Sequence, residues 1–216
     1  MAEGRITAFA VSPAEAGDPR FHDLCLTVGY YIDSALCESR GGYEGHELPP
    51  LAEHFYDLWT YYGEWSNGGH AQYHANIPDP SSWARASELL GRLGLPEYKQ
   101  LLDDMMAFVS SKAELIEDLY RTGREREADA MFRPFDDQFC EIERKCGALN
   151  RHLHGWLLQQ PWVKIDAARP PLSSETLALL LPPHPRRAQR QTANIRRRKA
   201  AMRGGVGAFL RRLIGI

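Results

Sequence analysis

The stretch LAEHFYDLWTYYGEWSNGGHAQYHAN, residues 51–76, decides the fold. Pro49-Pro50 opens a helix before it, because first-turn N–H groups lack intrahelical acceptors and a proline there forfeits no bond. Leu51, Phe55, Leu58, Trp59 and Tyr62 then share one helical face. Ser66-Asn67-Gly68-Gly69 breaks the pattern, since glycine takes the positive φ that a turn demands. Gln72 to Asn76 reads as a short helical turn ahead of Pro78.

The same period extends outward. Phe21, Leu24, Val28, Tyr31 and Ala35 predict a preceding helix that ends at Arg40-Gly41-Gly42. Asp79-Pro80-Ser81-Ser82 is a cap sequence for a helix carrying Trp83, Ala86, Leu89, Leu90 and Leu93, with Gly94 as its stop. Pro96 starts another, with Tyr98, Leu101, Met105, Phe108 and Val109 inward. A short helix near Glu114–Tyr120 and a long one from about Glu125 to Leu158, kinked or divided at Pro134, complete the series. The only strand candidate, Trp162–Ile165, is too short to define a sheet, so the fold class is all-α: a compact multi-helix domain.

Charge divides the chain. Residues 1–160 hold 26 acidic and 14 Lys/Arg side chains, a balance of −12; residues 161–216 hold 2 and 12, a balance of +10. Two fields of opposite sign imply different partners. The expected organisation is a loosely ordered terminus over 1–19, an acidic helical domain over 20–165, a Pro-rich linker over 166–185 and a basic amphipathic tail over 186–216. In the tail, Arg186, Arg187, Arg190, Arg196, Arg197, Arg198, Lys199, Arg203, Arg211 and Arg212 border the apolar stripe Ile195, Met202, Val206, Phe209 and Leu213. Gly204, Gly205 and Gly207 each cost a helix about 1 kcal/mol, so the tail is expected to be flexible until it meets a partner. The N-terminus lacks a secretory apolar stretch, and no run approaches the ~20 apolar residues that span a bilayer. Cys25, Cys37, Cys140 and Cys146 have no CxxC spacing and read as reduced, mostly buried thiols, with the cytoplasm as the default address.

No catalytic signature is present: no GxSxG, GxGxxG or P-loop, and no cofactor motif. His70 and His74 lie i,i+4 on one helical face as paired metal ligands would, with Glu64 and His54 as further donors. The HExxH context is missing, and a short polar turn with two hydrogen-bonding histidines is the simpler reading. His152 and His154, two apart, point to different sides of a helix. Asp103-Asp104 and Asp136-Asp137 are adjacent carboxylates that diverge by ~100° rather than converging on one atom. Asp136, Asp137, Glu141 and Glu143 form a candidate acidic interaction surface around the apolar stripe of Phe135 and Phe139. Acids at i,i+4 are spaced about 6 Å along the axis, comparable with a row of backbone phosphates.

The run Glu64, Asn67, Gly68, Gly69, Gln72, Tyr73 and Asn76, behind an apolar-aromatic helix, resembles the motif of a bacterial family known for DNA mimicry. Leu93-Gly94 and Phe135-Asp136-Asp137-Gln138-Phe139 resemble further features of it, over roughly residues 20–160. The resemblance implies an all-helical domain whose carboxylates stand in for phosphates and which engages a basic, DNA-binding protein without catalysis. The motif itself reads as architectural. The basic tail lies outside the resemblance. It sustains a rival reading in which the tail binds nucleic acid or an anionic membrane and the domain is its scaffold. A second rival is a small metal-binding or enzymatic protein using His54, Glu64, His70 and His74.

Overall fold

The computed structural model describes residues 4–17, 23–169, 173 and 181–196. Helices α1 (Pro13–Gly17), α2 (Asp23–Leu36), α3 (Ala52–Asn76), α4 (Pro80–Arg92), α5 (Pro96–Arg121), α6 (Glu125–Ala130), α7 (Arg133–Cys146) and α8 (Leu149–Leu158) follow a short strand β1 (Phe9–Val11) and precede β2 (Val163–Ile165). Residues 187–196 are helical as well. The fold is all-α, as the periodicity predicts.

Helix α3 is the hub, touching α2, α4, α7 and α8. Its Phe55, Leu58 and Tyr61 are fully buried beside Ile32 of α2, Leu89 and Leu90 of α4, Tyr98 and Leu101 of α5, Phe139 of α7 and Leu153 of α8. The glycine break predicted from the sequence is a kink within α3. Gly68 is extended (φ −161°), Gly69 is left-handed (φ 75°, ψ −172°), and the helix resumes at His70. Asp79 caps α4 as expected, its Oδ1 accepting from Ser81 N at 3.0 Å.

Two helical bounds differ from the sequence reading. The apolar stripe of α5 continues through Ile116 and Leu119, so one helix replaces the expected two. The long C-terminal helix is divided around Pro134, as expected, but also at Gly147, whose φ of 86° ends α7. No periodicity argument separates a glycine inside a helix from one that stops it.

Three further expectations are corrected. The N-terminus is not loosely ordered over its described part: β1 pairs in parallel with β2, matching Phe9 to Val163 and Val11 to Ile165. Phe9 and Val11 are buried, and Phe9 stacks on Tyr31 with ring centroids 5.2 Å apart. Ser12 and Glu15 then form a reciprocal cap, Ser12 N donating to Glu15 Oε2 at 2.7 Å and Glu15 N to Ser12 Oγ at 3.3 Å. Nor is the described part of 166–185 a free linker. Arg169 is buried in an ion pair with Glu15 and lies over the Tyr31 ring, and Leu181 and His184 are buried too. Finally, of the four free cysteines only Cys25 is buried, and Cys140 is exposed. Most of residues 170–180 of the expected linker, and all of tail residues 197–216, fall outside the described residues.

Candidate interaction surface

The seven-residue motif builds the kink. Glu64 Oε2 accepts from Gln72 Nε2 at 2.8 Å and from Asn76 Nδ2 at 2.7 Å, so one carboxylate bridges both sides of the break. Tyr73 is buried against Tyr61 and Trp83, at 4.9 and 5.5 Å between centroids. Asn67 and Gly68 lie exposed at the bend.

The four residues proposed as metal donors are directed to separate partners. His54 Nε2 faces Glu88 at 3.3 Å, and Glu64 serves the two amides. His70, fully buried, lies 2.9 Å from Tyr61 Oη and 2.7 Å from Asp136. His74 lies among Trp83, Tyr120 and Phe132, where burial lowers its pKa. Among the described residues no group of three His, Cys, Asp or Glu could hold a metal ion.

The acidic residues fall into two classes according to what answers them. On the α3–α4 side, Arg85 pairs with Asp57 and Glu53, while Arg92 and His54 answer Glu88. Burial raises the Asp57 carboxyl, and the Arg85 guanidinium opposes that rise. The α5–α7 side is different. These helices run antiparallel: Tyr98, near the start of α5, meets Phe139 at 5.2 Å and donates to Gly147 O, while Phe108, farther along α5, meets Phe135 at 5.3 Å near the start of α7. Their outer faces therefore lie side by side.

On α5, Glu97, Gln100, Asp104, Ala107, Ser111 and Glu114 recur at intervals of three and four, and all are exposed. On α7, Asp137, Gln138 and Glu141 are exposed in the same way. Between the helices runs an open groove of about 500 Å3 lined by Glu97, Gln100, Gln138, Glu141, Ile142 and Lys145. Among the described residues Glu97, Asp104, Glu114, Glu117 and Asp137 have no cationic partner, although Asp104 accepts from Gln100 at 2.8 Å. Glu141 pairs with Lys145 at 2.6 Å, which lowers its carboxyl pKa, and Asp103 pairs with Lys99. Net negative charge, interrupted by the exposed Lys112, Arg133 and Arg144, is thus held on two helices whose other faces are locked in the core by Tyr98, Leu101, Met105, Phe139 and Ile142.

The sequence-derived acidic set is split by this geometry. Asp137 and Glu141 lie on the α7 face, Glu143 is half-buried, and Asp136 is bound to His70. The sequence reading missed Glu97, Asp104 and Glu114. Their three-and-four spacing is visible along residues 97–114, but only the packing of α5 on α7 brings Glu97 and Gln100 to one groove with Gln138 and Glu141.

Of the basic tail residues, Arg187 and Arg190 are engaged by the domain, and Arg186 and Arg196 are exposed. Arg197, Arg198, Lys199, Arg203, Arg211 and Arg212 lie outside the described residues. No described helix is long and apolar enough to cross a membrane.

A family model described as DMP19-like protein matches residues 46–160, more than half of the chain, and covers α3 to α8 together with the Glu64–Asn76 motif. No curated protein and no solved structure matches.

Proposed function

The chain belongs to the DMP19-like protein family of DNA mimics, and from that premise we propose that its α5–α7 face occupies the DNA-binding surface of a basic protein. It acts by occupancy rather than catalysis. The observation that carries this reading is the unequal answering of carboxylates. Arg85 and Arg92 neutralise the α3–α4 side internally, whereas Glu97, Asp104 and Asp137 have no cation among the described residues. A protein adapted to neutralise phosphates presents Lys and Arg at fixed positions, and a rigid row of carboxylates meets them without an ordering cost. Water-exposed pairs contribute only about 0.2–1 kcal/mol each, so affinity requires several contacts made together, and the field governs the rate of encounter.

Capture tests the proposal. The immobilised full chain should retain a basic, DNA-binding protein from a lysate of its own cells, and duplex DNA should release it. Retention that duplex DNA leaves untouched would place the contact away from the DNA-binding surface and refute mimicry.

A further inference from the structure

The described C-terminal segment, residues 181–196, lies against the turn that follows α2. His184 N donates to Gly41 O at 2.8 Å, and its ring meets Tyr43 edge-on at 5.0 Å. The Tyr43 hydroxyl donates to Pro182 O at 2.9 Å. The helical residues 187–196 then present Arg187, Arg190 and Asn194 from one face. Arg187 Nη1 donates to Arg40 O at 2.8 Å and Ser39 O at 3.2 Å. Arg190 grips Glu47 with two N–H groups, at 2.6 and 2.7 Å, and also donates to Gly42 O at 2.9 Å. Asn194 Nδ2 donates to Glu38 Oε1 at 2.9 Å.

The receiving edge is shaped for this. The carbonyls of Ser39, Arg40 and Gly42 lie in the turn beyond α2, near the negative end of its dipole, while the helix's own last carbonyls are taken by the Cys37, Gly41 and Tyr43 N–H groups. Gly42 has a φ of 71°, and a Cβ there would sit 2.6 Å from Arg187 Cγ. Glu47, its side chain only 10% exposed, accepts the planar two-pronged fork that distinguishes arginine from lysine. Carbonyls 39, 40 and 42 with carboxylates 38 and 47 thus form a set of acceptors matched to arginines at i,i+3 on a helix. Apart from Glu47, these acceptors and the helix that fills them lie outside the family match at 46–160.

We infer that this edge is a receptor for an arginine-bearing helix, filled in cis by residues 187–196, and that a basic partner must displace that helix to engage it. The partner half of the inference rests on the function proposed above. Tethering gives the cis helix an effective concentration in the millimolar range, so a weak basic ligand in trans finds the site closed.

The probe is a labelled synthetic peptide of residues 184–196, added to the full chain. It should bind the Arg187→Ala/Arg190→Ala chain at least about tenfold more tightly than the unaltered chain, because the cis competitor is weakened. Adding Glu47→Gln should abolish that gain. Arg187→Lys/Arg190→Lys keeps both charges but loses the fork, and should give an intermediate affinity. Equal affinity for all chains, binding to none of them, or a gain that survives Glu47→Gln overturns the receptor. So does loss of cooperative unfolding in both arginine variants, which would make the segment a structural part of the core. The peptide reads the receptor alone. Failed capture with intact peptide exchange removes only the DNA-binding partner, and the converse removes only the receptor.

Discussion

Asp136 Oδ1 lies 2.8 Å from the backbone N of His70 and 2.7 Å from its ring Nδ1, tying the first turn of α7 to the residue at which α3 resumes after its kink. A carboxylate only accepts, so Nδ1 donates to Asp136, while Nε2 faces the Tyr61 hydroxyl at 2.9 Å. The motif, the kink and α7 are one hydrogen-bonded unit, and Asp136 is spent on architecture. Asp136→Ala leaves two buried donors unanswered and should cost about 2–4 kcal/mol, with Asp136→Asn costing less. Urea unfolding checks this as a lower midpoint at unchanged slope. A midpoint equal to that of the unaltered chain would remove the tie from the account.

The two glycines of the kink should differ. Gly69 has a φ of 75°, and a Cβ there would meet the Asp136 carboxylate at 2.8 Å. Gly69→Ala should therefore cost about 1–3 kcal/mol through backbone strain alone. Gly68 is extended, so its alanine variant carries no such backbone strain, although a Cβ would push the Gln72 amide off Glu64. Thermal unfolding should rank Gly69→Ala well below Gly68→Ala; the opposite order would contradict the geometry.

Helix positions along residues 51–109 were legible because each has a 3.6-residue apolar stripe and a proline, aspartate or glycine at its end. The Gly68-Gly69 break was legible for the same reason. The ordered N-terminus was not: Phe9 and Val11 find their strand partners in Val163 and Ile165, over 150 residues away, and a three-residue strand leaves too little alternation to detect. The roles of Asp136 and Asp137 were equally hidden. Adjacent carboxylates look alike in sequence, and only the approach of His70 assigns one to the kink and leaves the other to solvent.

Those long-range partners carry the buried core beyond residues 20–160. A fragment of residues 20–160 lacks Phe9, Val11 and Trp162, all buried, together with the Glu15–Arg169 pair. At about 1.5–3 kcal/mol per large buried side chain, the loss approaches the 5–15 kcal/mol that holds a typical domain together. Its melt should lie far below that of the full chain by circular dichroism. Equal melting temperatures would show the strand pair to be dispensable.

Acid should loosen the C-terminal clasp. Arg190 hydrogen bonds, helped by the Glu44 N–H and by His184, hold the Glu47 carboxyl at about 2, below its ordinary 4.5. A depressed folded-state pKa contributes stability that is whole above about pH 4.5 and is lost as pH falls through about 2. Hydrogen exchange at residues 39–47 should stay slow down to that window and then accelerate. Glu47→Gln should remove this step, and a step unchanged by the substitution would assign it to another group.

The most direct test of the account exchanges charge for amide on the two acidic sides and compares binding to the captured basic protein. The α5–α7 variant carries Glu97→Gln, Asp104→Asn, Asp137→Asn and Glu141→Gln; the control carries Glu53→Gln and Glu88→Gln on the α3–α4 side. Four exposed contacts at about 0.2–1 kcal/mol each predict a loss of roughly fourfold or more for the first. That difference should shrink as salt shortens the Debye length from about 10 Å at 0.1 M to about 3 Å at 1 M. The control should bind like the unaltered chain. Full affinity in the α5–α7 variant, or a greater loss in the control, would contradict the assignment of the DNA-like face to α5 and α7.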